Sequence, residues 1–140
     1  MYNFNQKTIA KHLPGKDSPA LTADITYPEL SEIPGKAGKR LSRFYRRAVS
    51  QYTLRCEKDL LPEAAEHVNR AVEEGRPYQP WNAVMKITAE YEEDGRHIKI
   101  RREIEETAPR GGVTRLVFYD VWDANSGLPA GPNTERSPSL

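Results

Sequence analysis

The chain has 140 residues, 37% apolar and 29% charged, which is one domain's worth of material with too little core for two. Lys plus Arg number 21 against 20 Asp plus Glu, a formal net charge of +1, so a globally polybasic or polyacidic protein is excluded while local charge asymmetry is not. No apolar run of the roughly 18 residues needed to cross a bilayer is present, and a single cysteine, Cys56, excludes an internal disulfide framework.

Residues 1–13 hold no continuous apolar stretch of the kind a signal peptide needs, so the expected compartment is cytoplasmic. Residues 1–18, polar and holding Pro14 and Gly15, are expected to form a flexible arm with room for a short strand around Phe4 to Ile9. Leu21, Ala23, Ile25 and Tyr27 then alternate with Thr22, Asp24 and Thr26, the period of a half-buried strand. Pro28, which has no N–H to donate, ends its ladder. Ser31 to Gly38, with Pro34 and Gly35, reads as a loop.

Leu41, Phe44, Tyr45, Ala48, Tyr52 and Cys56 recur at helical spacing and form one apolar stripe, which Leu60 and Leu61 continue. Pro62 is expected to open a second helix capped by Asp59, with Glu63 in its first turn. Ala64, Ala65, Val68, Ala71 and Val72 form its stripe, and Gly75 stops it. A proline loop, Arg76 to Trp81, leads to a strand in which Val84, Lys86, Thr88 and Glu90 alternate with Met85, Ile87, Ala89 and Tyr91.

Asp94-Gly95 marks a hairpin. The next strand runs from His97 to Ile104 with Ile98, Ile100, Arg102 and Ile104 on one side. After a Pro/Gly loop, Val113 to Trp122 is the last strand. Val113, Arg115, Val117, Tyr119 and Val121 take one side, and Leu116, Phe118, Asp120 and Trp122 the other. The segment 130–140 has almost nothing to bury and is expected to be disordered. Together these elements predict an α+β fold over residues 19–129. An antiparallel sheet of about four strands, in β-α-α-β-β-β order, packs one face on a helix pair and leaves the other wet.

Reactive side chains are scattered. Cys56 lies in an apolar helix stripe and reads as a small buried hydrophobe. His12, His67 and His97 fall in three different elements with no metal-ligand spacing. Carboxylates gather at Glu90, Glu92, Glu93 and Asp94, and again at Glu103, Glu105 and Glu106. General acid–base work would need them to converge in a cleft, whereas acids at turns and strand ends are ordinary solvated surface. No phosphate-binding glycine loop or nucleophile elbow occurs. No catalytic, cofactor-binding or metal-binding residue is therefore assigned, and no cofactor is expected. The unusual feature is the basic run Lys36, Lys39, Arg40, Arg43, Arg46 and Arg47, followed by Arg55 and Lys58, with no acid among the first six. Such a stripe can contact phosphates, or it can be a solvated helix face paired with carboxylates of the sheet.

Several segments resemble a known family when taken in order. They are Ile25-Thr-Tyr-Pro28, the helix with Tyr45 and Ala48, Arg76-Pro-Tyr-Gln-Pro-Trp-Asn-Ala83, Glu105-Glu-Thr107 and Asp120-Val-Trp-Asp-Ala-Asn-Ser-Gly-Leu-Pro129. This succession, over roughly residues 20–129, is similar to the DUF3298 and DUF4163 domains of bacterial RsiV-type anti-sigma factors and of the peptidoglycan deacetylase PdaC. The resemblance implies an α+β domain without catalytic machinery of its own, acting as a sensory or binding module and often extracytoplasmic. The RsiV-type version binds lysozyme, and in the deacetylase a separate domain carries catalysis.

Two departures stand out. The family's Tyr-Thr-Gly-Gly-Ala-His-Gly-like loop is replaced by Glu106-Thr-Ala-Pro-Arg-Gly-Gly112. The apolar stretch and helix usual after the Gly127-Leu-Pro129 turn are replaced by a polar tail, as in a shortened member. Apolar surface left uncovered would favour a homo-oligomer.

The functional expectation is a non-catalytic binding domain for a protein or glycan ligand. Its candidate partner-binding residues are Arg40, Arg43 and Arg47 on the basic helix, Tyr78 and Trp81 in the proline loop, and Arg110 in the Pro/Gly loop. The competing expectations are nucleic-acid association through the arginine helix and a glycan-acting enzyme using the carboxylates.

Overall fold

The computed structural model describes residues 4–15 and 19–130. In chain order the elements are β1 (Gln6–Leu13), β2 (Leu21–Pro28), a 3-10 turn at Leu30–Glu32, α1 (Gly35–Arg55), a π-helical turn at Cys56–Leu60, α2 (Leu61–Glu73), β3 (Trp81–Tyr91), β4 (His97–Thr107) and β5 (Val113–Asp123). The strands form one sheet in the order β1-β2-β3-β4-β5. Helix α1 lays the stripe Leu41, Tyr45, Ala48 and Tyr52 on one sheet face, against Leu21, Ala23, Ile25, Ala83, Met85, Ile87, Ile98 and Ile100.

The sheet has five strands rather than about four, and it is mixed rather than antiparallel. The β3-β4-β5 meander is antiparallel, as hairpin links require. Strands β2 and β3 are parallel neighbours, with Leu21 opposite Trp81 and Ile25 opposite Met85. The reason is their connection: the whole helical segment separates them and carries the chain back to the end where β2 began. The added strand is β1, which pairs antiparallel with β2 from Gln6↔Pro28 to Leu13↔Leu21.

Residues 6–13, expected within a flexible arm, are thus a sheet edge. The short strand expected around Phe4 to Ile9 overlaps β1 but stops short of Leu13, because only Ile9 and Leu13 are apolar on the inward side. The other two inward positions are lysines whose heads reach acids of the helical layer's rim, Lys7 to Glu29 at 2.6 Å and Lys11 to Glu57 at 3.8 Å. Apart from Ala130, whose N–H donates to the Val121 carbonyl at 2.9 Å, the tail expected to be disordered lies outside the described residues.

The expected helix pair is one helical run from Gly35 to Glu73. Pro62 cannot donate to the carbonyl four residues back and crowds it. Here the chain widens into a π turn just before the proline instead of breaking. Cys56 and Leu60 are buried in that turn, and Asp59 makes no cap. Gly75, with positive φ, closes α2 in a Schellman arrangement: its N–H donates to the Val72 carbonyl at 3.1 Å and that of Arg76 to Ala71 at 2.8 Å. Val72 is exposed rather than part of the packed stripe.

The expected loop at 31–38 is also partly helical. Leu30 and Ile33 are buried, and α1 starts at Gly35. Gly38 lies in the first turn of α1, where only glycine fits, because a Cβ there would collide with the Ile33 backbone. Trp81, assigned to the proline loop, opens β3.

A groove between helix and sheet

Period-two alternation decides which side chains of β4 and β5 lie under α1. On β4 they are Ile98, Ile100, Arg102, Ile104 and Glu106; on β5 they are Thr114, Leu116, Phe118, Asp120 and Trp122. Two polar clasps join this surface to the helix. In one, Trp122 Nε1 donates to Tyr45 Oη at 2.9 Å, and Tyr45 Oη donates to Asp120 Oδ2 at 3.2 Å. Phe44 closes edge-on over Trp122, with ring centroids 5.1 Å apart.

In the other clasp, Arg55 Nη2 and Nε donate to the two oxygens of Glu106 at 2.7 and 3.0 Å, and Tyr52 Oη donates to Glu106 Oε2 at 2.9 Å. Burial pulls the Glu106 carboxyl up, but the hydrogen bonds from Arg55 and Tyr52 and the charge of Arg55 outweigh it and hold the group below the usual carboxylate range. Burial, and then the neighbouring carboxylates, push the phenols of Tyr45 and Tyr52 far above their ordinary value, so both are donors throughout the working pH range.

From the Glu106 clasp toward Phe118 the helix and the sheet stand apart, leaving a cavity of about 340 Å³. Its walls are Ala48, Met85, Ile104, Leu116 and Phe118, and Gln51, Tyr52, Arg102 and Thr114 add polar groups. The Arg102 guanidinium carbon lies 4.7 Å from the centre of the Phe118 ring. Its Nε is sealed from solvent and has no hydrogen-bond partner among the described residues. The two acids of this face are committed elsewhere, Asp120 to Tyr45 and Glu106 to Arg55 and Tyr52. The groove can therefore surround an apolar body and present an arginine fork.

The residues singled out from sequence are dispersed. Trp81 and Arg110 meet in a second groove, about 460 Å³, with Glu63, Glu66, His67 and Arg70 of α2. Tyr78 is half-buried in the preceding connection. Arg40, Arg43 and Arg47 are exposed on α1 and line neither groove.

Cys56 is fully buried, and burial followed by the charge of Glu106 pushes its thiol up to about 11. The carboxylates divide between faces: Glu103 on the open side takes Arg101 and Arg115, each at 2.8 Å, while Glu106 lies under α1. At the hairpin end Asp94 is a turn former, accepting from the Arg96 and His97 backbone N–H groups and pairing with His97 Nδ1 at 2.7 Å. Among the described residues no group of three or more His, Cys, Asp or Glu side chains could hold a metal ion.

Arg102 and Gln51 were not singled out from sequence, and Glu106 only as one of a group of carboxylates. The signal for Arg102 was there, as a charge in the apolar register Ile98, Ile100, Ile104.

No family model and no curated protein matches the chain. The chain is similar to a crystal structure of a member of the DUF3298 family from Bacteroides fragilis NCTC 9343, with 14% identity and a TM-score of 0.48. The similarity covers 91% of this chain and 57% of that one, so the chain spans little more than half the length of that protein. No helix among the described residues is long and apolar enough to cross a membrane.

Proposed function

We propose that this chain is a non-catalytic binding domain whose ligand occupies the groove between α1 and the β4–β5 end of the sheet. The observation that carries it is Arg102, a cation in an apolar strand register that lines the groove against Phe118 and enters no ion pair among the described residues. A cation held among apolar walls without a counter-charge is stabilised when an anionic acceptor arrives. Backbone amide resonances of the labelled full chain, followed during titration with a panel of small charged and neutral amphiphiles, test it. Shifts concentrated at residues 48–55, 102–106 and 114–118 support the reading; an unresponsive groove overturns it.

A second reading has its own observation. Lys36, Arg40, Arg43 and Arg47 recur at helical spacing on the outward side of α1, with Lys39 beside them, and among the described residues none of the five enters an ion pair. Arg46 alone of the run reaches an acid, Glu29, at 3.7 Å. An unpaired cationic stripe of this kind suits a phosphate backbone, and salt-dependent binding to a generic duplex tests it.

A further inference from the structure

The side chains around the helix–sheet groove also specify the chemistry of its occupant. Arginine keeps its charge at any working pH, and a guanidinium held over an aromatic face retains its in-plane N–H donors for an acceptor. The partner that best matches this planar fork is a carboxylate, with two coplanar oxygens.

The ligand's charge is bounded by what else lines the cavity. Arg55 is neutralised by Glu106 at 2.7 Å, so Arg102 is the one uncompensated cation of the groove among the described residues. A second negative charge on the ligand would find no free cation in the groove. A monoanion is favoured over a phosphate dianion.

The apolar walls, Ala48, Met85, Ile104, Leu116 and Phe118, offer no partner to a polar body, and Gln51 and Thr114 add neutral polar groups to the lining. Leu116 is 37% exposed at the groove, an apolar surface that a ligand would cover. The volume, about 340 Å³, lies at the small end of the range for ligand sites. It suits an aryl or medium-chain acyl group and is too small for an oligosaccharide or a dinucleotide. We infer that the groove binds a small amphipathic carboxylate, its carboxylate paired with Arg102 and its apolar body between Ala48, Met85 and Leu116. This rests on the binding-domain reading above and goes beyond it in naming the ligand class.

The test uses the full chain with octanoate, octanamide and inorganic phosphate as probes, calorimetry for affinity and amide resonances for location. Octanoate is expected to saturate the groove. Arg102→Gln should weaken it by about tenfold or more, the worth of a charge-assisted hydrogen bond. Octanamide should bind the wild type correspondingly more weakly and be indifferent to the substitution.

Thermal melts confirm that the variant is folded. Should it not fold, Leu116→Glu, at a half-open position, places a carboxylate at the groove and is expected to repel octanoate by a similar factor while sparing octanamide. Octanamide binding in the groove as tightly as octanoate, with Arg102→Gln or Leu116→Glu making no difference, overturns this inference and leaves the binding domain standing. Phosphate binding as tightly as octanoate overturns it likewise. Failure of all three probes to perturb the groove overturns both.

Discussion

Trp122 ties the helix to the sheet at a single residue. Its ring is 8% exposed, packs against Phe44 and Tyr45, and donates its N–H to Tyr45 Oη. Trp122→Ala removes a large apolar body and leaves the Tyr45 hydroxyl one donor short, so it should cost about 3–5 kcal/mol in urea melts. A loss under about 1 kcal/mol would mean that this end of the sheet is not packed on α1.

Glu106 performs the equivalent task at the other clasp, with a pH signature. Its folded pKa lies below the ordinary 4.5, because Arg55 and Tyr52 outweigh the effect of burial. The carboxylate therefore adds stability that is fully present above about pH 4.5 and is lost as the pH falls through the lower folded value. Glu106→Gln should lower stability at pH 7 by about 1–3 kcal/mol and flatten the decline below pH 4.5. Melts of both proteins from pH 7 to pH 3 check this. A mutant and wild type that decline in parallel would place the acid sensitivity on other carboxylates.

Among elements, α1 divides its sides sharply. The inward stripe Leu41, Tyr45, Ala48, Tyr52 was legible as helical periodicity and packs as that spacing demands, except that Phe44 lies half outside at 46% exposure. The outward stripe of Lys36, Arg40, Arg43 and Arg47 was legible as charge, yet its expected carboxylate partners are absent among the described residues. Replacing Arg43 and Arg47 by Gln should change stability by about 1 kcal/mol or less, since exposed cations contribute little. If the stripe binds duplex nucleic acid, an anisotropy titration at two salt concentrations should show the double variant losing affinity and flattening the salt slope by about two. Salt-insensitive or undetectable binding by the wild type would remove that reading.

The start of α1 is fixed by contacts that no periodicity shows. Gly127, at φ +73°, brings the turn after β5 so close to the helix that a Cβ would lie 2.8 Å from Ala37 Cα. The turn itself was recognisable, through Asp123 and Ser126-Gly127, but its docking on the helix was not, because close approach depends on tertiary placement. The π turn before Pro62 is similar: a proline announces a disturbed helix, while the surrounding packing decides whether the chain breaks or widens. The candidate groove was legible only as an exception to a rule, the arginine in an apolar strand register. Its volume depends on how far α1 stands from β5, which local spacing does not encode.

For the whole molecule, the consequential difference between expectation and structure is β1. Strands whose inward positions alternate apolar, such as β2, announce themselves. An edge strand with lysines at half its inward positions does not, and such lysines are also how exposed edges avoid pairing with other chains. A flexible arm over residues 1–18 and the observed β1 predict different molecules. A flexible arm could be removed without consequence. The observed β1 contributes the ladder from Gln6↔Pro28 to Leu13↔Leu21 and packs Ile9 and Leu13 against the core, while Asn5 holds Glu32 through its backbone and side-chain N–H groups at 2.9 and 3.0 Å. A chain beginning at Pro19 would expose the edge of β2 and lose several backbone hydrogen bonds, each worth about 0.5–1.5 kcal/mol net. It should lose about 3 kcal/mol or more of unfolding free energy and melt less cooperatively. Urea denaturation followed by circular dichroism decides the matter: an unchanged midpoint would return β1 to the status of a flexible arm and leave β2 as the true edge of the sheet.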